Sequence, residues 1–157
     1  MATSFTVLQV IVAIVFSGVG AWLAWQQVQI ARVKLQHELY DKRYRVYDAA
    51  RALTADIVVH ANASDEAVRQ FVIGTSDAVF LFDDDKITQY LEEMRKRAAA
   101  LQSVQKAFDI LAVGSDQKVA NADRFAELTS WFDEQLSKGL RDRFKPFLQF
   151  NKLRWWW

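Results

Sequence analysis

Two histidines, a run of three aspartates and scattered serines are the groups here with types suited to acid–base, metal or nucleophilic chemistry. His37 and His60 stand 23 residues apart on what reads as one helix, which separates them by about 35 Å. They cannot share a metal ion within one chain. His60 lies near the expected end of that helix, where a cationic side chain meets the negative end of the dipole. Asp83-Asp84-Asp85 looks superficially like a cation site. It lacks the alternating ligands and central Gly of a calcium loop, and acids at a helix start are accounted for by capping. The chain has no cysteine, hence no thiol nucleophile, disulfide or Cys-based zinc site. No phosphate-cradling Gly-rich loop, Gly-x-Ser-x-Gly elbow or zincin motif is present. The expectation is therefore a protein without catalytic residues, cofactor or metal.

Twenty Lys and Arg oppose nineteen Asp and Glu, a net charge of +1. Such a weak field argues against a dedicated nucleic-acid binder. Five Gly and one Pro in 157 residues are too few for many turns, so few and long helices are expected.

Phe5 to Trp25 reads FTVLQVIVAIVFSGVGAWLAW, with no charge. About 20 such residues span about 30 Å of hydrocarbon as a helix. Trp22 and Trp25 fall where indoles favour the headgroup layer. A cleaved signal peptide would need a basic start, and Met1 to Ser4 have none. Arg32, Lys34, Lys42, Arg43 and Arg45 follow the span, which places that side in the cytoplasm and the N-terminus outside. The sequon Asn62-Ala63-Ser64 is then irrelevant. Ala13, Ser17 and Ala21 recur every four residues, a small-residue row that lets two helices approach closely in lipid.

No Pro or Gly interrupts Ala21 to Ile73, so the anchor is expected to continue as one helix to about His60. At 100° per residue, Leu35, Leu39, Val46, Ala50, Leu53 and Ile57 share a face expected to pack on the chain's own domain. A second face is charged, with Glu38–Lys42 and Asp41–Arg45 at i,i+4. A third carries His37, Tyr40, Tyr44 and Tyr47, which either widens the core contact or meets another chain. Ser64-Asp65-Glu66 opens a short second helix with Val68, Phe71 and Val72 on its apolar face and Gly74 as its stop. Val79 to Phe82 is expected to be a buried connector or half-turn. Asp83 then caps a third helix through Ile87, Leu91, Met94, Ala98, Leu101, Val104, Phe108 and Leu111, ended by Gly114. After a loop from Ser115 to Ala120, Asn121 caps a fourth helix through Phe125, Leu128, Phe132, Leu136, Leu140 and Phe144, stopping near Pro146.

The last residues interleave aromatics with Lys152 and Arg154 and end in Trp155, Trp156 and Trp157. Three adjacent indoles are costly in water, so they contact the membrane interface, the chain's own bundle or a partner. If long helices simply alternate in direction, the fourth runs away from the membrane and strands this tail.

The segments LYDKRYRVYDAARAL (Leu39 to Leu53) and DAVFLFDDDKITQYLEEMRKRA (Asp77 to Ala98), taken with the anchor, resemble small bacterial single-pass membrane proteins with a cytoplasmic helical domain. The resemblance covers roughly residues 5 to 110. It implies a bacterial inner-membrane setting, and it brings no activity and no functional residue with it.

The expected fold is all-α: an N-terminal single transmembrane helix continuing into a cytoplasmic antiparallel helical bundle. Its parts are an anchor (1–27), a juxtamembrane helix (28–62), the rest of the bundle (63–144) and an aromatic, basic tail (145–157). Its expected partners are the lipid bilayer, a second copy of itself and another membrane protein, with no nucleic acid. The expected function is a non-enzymatic, membrane-tethered assembly or scaffold module. The alternative is an accessory subunit of a transporter, channel or membrane-bound defence complex.

Overall fold

The computed structural model describes the backbone of residues 2–110 and 116–149, and the side chains of 17–108 and 116–149. Every regular element described is helical: α1 (Ala2–His60), α2 (Asp65–Thr75), α3 (Ala78–Leu81), α4 (Asp85–Ile110), α5 (Asp116–Glu134), one turn of π-helix (Gln135–Gly139) and α6 (Leu140–Leu148). The chain is all-α, as its shortage of Gly and Pro requires. Among the described residues no helix is long and apolar enough to cross a membrane. Of the apolar run Phe5 to Trp25, only Ser17 onward has described side chains.

The chain forms two compact units, Met1–Leu39 and Tyr40–Trp157. The first is the leading part of α1 alone. Its large apolar side chains Val19, Leu23, Val28, Ile30, Val33 and Leu35 are exposed. Leu35 and Leu39 were expected to pack on the domain. They do not, because within this unit no second element exists to receive them.

The second unit is a bundle. Val46, Ala50, Leu53 and Ile57 of α1 are buried against Phe71 of α2, against Ile87, Leu91, Met94, Ala98, Leu101 and Val104 of α4, and against Leu128, Phe132, Leu140 and Phe144. The i, i+3, i+4 spacing of these positions presents a single apolar stripe on each helix. Consecutive long segments alternate in direction. On α1 and α2, Asp56 meets Ser64 and Ala49 meets Gly74. On α4 and α5, Phe108 meets Phe125 while Tyr90 meets Gln135. The antiparallel bundle is thus present. Because α2 is a full member of it, α4 runs with α1 and α5–α6 runs back.

That count replaces the simple alternation of long helices, while the tail itself from Phe150 lies outside the described residues. Phe144 meets Tyr47 edge to face at 5.5 Å, and Phe147 meets Phe82 in the same way at 5.4 Å. The end of α6 therefore returns to the end of this unit at which α1 enters.

Local rules explain most boundaries. The Ser64 hydroxyl accepts from the Ala67 amide at 3.1 Å and caps α2 as expected. Asp84, not Asp83, caps α4: its Oδ1 accepts from the Lys86 amide at 2.9 Å. Gly74 does not stop α2, which continues to Thr75. A Cβ on Gly74 would lie 2.6 Å from that of Ala49, so this glycine serves close packing of α2 on α1. The expected loop from Ser115 to Ala120 is helical from Asp116, so Asn121 sits inside α5 rather than capping it. Leu111 and Gly114 lie outside the described residues. The π-turn splits the expected fourth helix, and Pro146 lies inside α6 rather than ending it.

The chain between α1 and α2 turns at Ala61, whose φ is +50°. Its carbonyl accepts from Gln105 Nε2 at 2.7 Å, and that of Ala63 accepts from Gln102 Nε2 at 2.9 Å. Two glutamines of α4 thus satisfy backbone acceptors that the turn leaves without helical partners.

Candidate interaction surface

An aromatic series runs from the surface of α1 into the bundle. Tyr40 stacks on Tyr44 at 6.1 Å, Tyr44 meets Tyr47 at 5.8 Å, and Tyr47 meets the buried Phe144 edge to face. Phe144 in turn meets Phe82 at 5.6 Å. The i, i+4 and i, i+3 spacing on α1 puts the three tyrosines on one helical row. The structure divides this face between core and solvent. Tyr47 belongs to the core contact, while Tyr44 is 43% exposed.

The remaining expected contact residues fall as follows. Trp22 and Trp25 are 56% and 61% exposed on α1, and Arg32 and Lys34 are exposed beside them. Ser17 and Ala21 lie on an exposed helix surface, and a Cβ placed at Gly18 or Gly20 meets nothing within 4 Å. The side chain of Ala13 lies outside the described residues, as do Lys152, Arg154, Trp155, Trp156 and Trp157.

Three features escaped the sequence reading. The first is apolar surface around α3. Ala78 and Phe82 are buried, but Val79 and Phe80 point outward, Phe80 with 86% of its area exposed. The expected buried connector is therefore a helical turn with one face in solvent. Val72, expected on the apolar face of α2, is exposed too and lines a cleft of about 220 Å³ with Val79 and Ala78. A four-residue apolar run gives no sign of which side a single helical turn will present.

The second is a buried polar contact at the π-turn. The Tyr90 hydroxyl donates to Gln135 Oε1 at 2.9 Å, and Gln135 Nε2 donates to the Trp131 carbonyl at 3.3 Å. Gly139 makes room, since a Cβ there would fall on the Gln135 carboxamide. Guanidinium groups cover the aromatic faces: Arg143 lies 4.2 Å from the Tyr90 ring and Arg97 lies 4.5 Å from that of Trp131. Burial pushes the Tyr90 hydroxyl well above the ordinary tyrosine range.

The third is Arg43, placed by the sequence in the cationic cluster after the expected anchor. Its Nε donates to the Leu81 carbonyl at 2.9 Å and its guanidinium lies 5.8 Å from the Phe82 ring, which clips α3 to α1.

Among the described residues no three His, Asp or Glu side chains converge to hold a metal. His60 Nδ1 lies 3.0 Å from Asp56 Oδ1 on the surface, a local i, i+4 pair. A cleft of about 530 Å³ between α1 and α2 has Ala49, Leu53 and Phe71 in its floor and Arg45, Asp48, Asp56 and Glu66 at its rim. Ser64 lines it too, and its hydroxyl donates to Asp56 Oδ2 at 3.3 Å. What the bundle presents is surface: exposed tyrosine on α1, exposed apolar residues on α3, and clefts with charged rims. Comparison with protein-family models, curated proteins and solved structures found no match to this chain.

Proposed function

We propose that this protein is a membrane-tethered, non-enzymatic assembly module that self-associates and holds its helical bundle at the cytoplasmic face of a bacterial inner membrane. The observation that carries the reading is the state of α1 in the first unit. It is a lone helix whose Val19, Trp22, Leu23, Trp25, Val28 and Ile30 all face outward. A lone helix exposing such side chains requires an apolar surrounding. The uncharged sequence from Phe5 to Trp25 is long enough to take the bilayer as that surrounding. Trp22 and Trp25 then sit at the headgroup layer, with Arg32 and Lys34 just beyond it.

Self-association draws on the Ala13, Ser17 and Ala21 row within the span and on the exposed edge of Tyr40 and Tyr44 in the second unit. A protein of this kind works by position: the anchor restricts the bundle to two dimensions and raises its effective concentration at the membrane. Alkaline extraction of membranes tests the anchor, and the chain should stay in the pellet. Size determination in detergent tests assembly, and a homo-oligomer is expected. Release into the supernatant, or a strictly monomeric detergent complex, overturns the corresponding half of the reading. A co-purifying multi-pass protein would favour the accessory-subunit alternative.

A further inference from the structure

We propose that the basic, aromatic segment Phe150–Trp157 docks on the exposed apolar surface around α3 of its own chain. Val79 and Phe80 of α3, with Val72 of α2, form that surface, and Phe80 is the most exposed large apolar residue described. An exposed apolar patch of this kind marks an interaction site.

Reach, charge and continuity select the occupant. Phe147 at the end of α6 packs on Phe82 at 5.4 Å, and Phe82 is two residues from Phe80. Two residues span at most about 7 Å, whereas the eight residues of Phe150–Trp157 extend to about 26 Å. Phe147 thus packs on a residue two positions from Phe80, and a segment of that length is long enough to reach the patch. The stretch Asp77–Lys86 around α3 carries Asp77, Asp83, Asp84 and Asp85 against one lysine. Of the nearby cations, Arg43 of α1 is held by the Leu81 carbonyl, and Arg95 of α4, which lines the cleft with Val72 and Val79, is paired with Glu92 at 2.7 Å. The segment carries Lys152 and Arg154 and no acid. Its cations match the acidic border, and its Leu153 and three indoles match the apolar centre. An anionic membrane surface would meet repulsion from the same aspartates. Docking would also extend the aromatic cluster of Phe82, Phe144 and Phe147 outward without a break.

The absence of cysteine from residues 1–157 allows a direct test in this chain. Phe80→Cys combined with Trp156→Cys is oxidised in native membranes and in detergent. Val119→Cys on the exposed surface of α5, combined with Trp156→Cys, is the control. The expected result is an intrachain disulfide, read as a mobility shift of the monomer, several-fold more abundant for the Phe80 pair. Asp77→Lys with Asp83→Lys should cut that yield several-fold, and Lys152→Glu with Arg154→Glu in the same chain should restore it. Equal yield from the two pairs overturns the proposal. Disulfides only between copies overturn it in favour of a second copy as occupant. A disulfide in detergent but none in membranes overturns it in favour of the bilayer.

Discussion

The Tyr90 hydroxyl on α4 donates to the Gln135 side-chain oxygen at 2.9 Å, across 45 residues of sequence and inside the core. The bond ties α4 to the one turn where the last helix departs from α geometry. Leu140 there donates its amide to the Gln135 carbonyl, an i to i+5 bond. Extra backbone in that turn brings the Gln135 side chain inward, and Gly139 leaves space for it.

Tyr90→Phe should therefore destabilise the bundle by about 1–2 kcal/mol, because it leaves the buried Gln135 oxygen without a donor. Thermal unfolding of the full chain in detergent measures this. The pH dependence has a definite sign. Burial raises the Tyr90 pKa in the folded state, so above the ordinary value of about 10 the unfolded chain loses a proton that the folded chain keeps. This contribution is complete below about pH 10 and declines above it. Tyr90→Phe should flatten that part of the stability profile, and an unchanged alkaline slope would remove Tyr90 as its source.

Gly74→Ala tests whether close helix approach or helix propensity dominates at that position. Alanine in a helix gains about 1 kcal/mol over glycine. Its Cβ would meet that of Ala49 at 2.6 Å, however, and overpacking costs about 1–3 kcal/mol. The variant should lower the melting temperature, and Ala49→Gly in the same chain should recover part of the loss. A stabilised single variant would show that α2 can move away from α1 at little cost.

Tyr44 and Tyr47 should separate assembly from folding. Tyr47→Ala removes the contact with Phe144 from a half-buried position and should cost about 2 kcal/mol in stability. Tyr44→Glu, at an exposed position, should leave the melting temperature within about 0.5 kcal/mol of wild type. It should reduce the size of the detergent complex, as should Ser17→Leu by blocking close helix approach. If both variants keep the size of an oligomeric wild type, the contact lies elsewhere on the chain.

The orientation prediction rests on Arg32 and Lys34 and on the cations that follow them. A reporter fused after Trp157 should be active only as a cytoplasmic form. Activity of a periplasmic phosphatase fusion at the same position would reverse the topology.

Sequence alone determined the class of this protein and most of its core. Scarce Gly and Pro, together with apolar residues at steps of three and four, give long helices. Val46, Ala50, Leu53 and Ile57, and Ile87 to Val104, are buried because helical periodicity is set locally by 3.6 residues per turn. The cap at Ser64 was legible for the same reason, since its donor lies three residues away. What only the tertiary structure decided depends on residues far apart in sequence. That α4 runs with α1 follows from α2 packing as a full member, which Gly74 permits against Ala49. Burial of Tyr90 and the π-turn at Gln135 depend on each other and on Gly139. Leu35 and Leu39 share the stripe of Val46 yet stay exposed, because a stripe is buried only where another element meets it. Phe80 and Phe82, two residues apart and alike in chemistry, end on opposite sides of the surface. The bundle offers Phe144 and Phe147 to one of them and leaves the other 86% exposed.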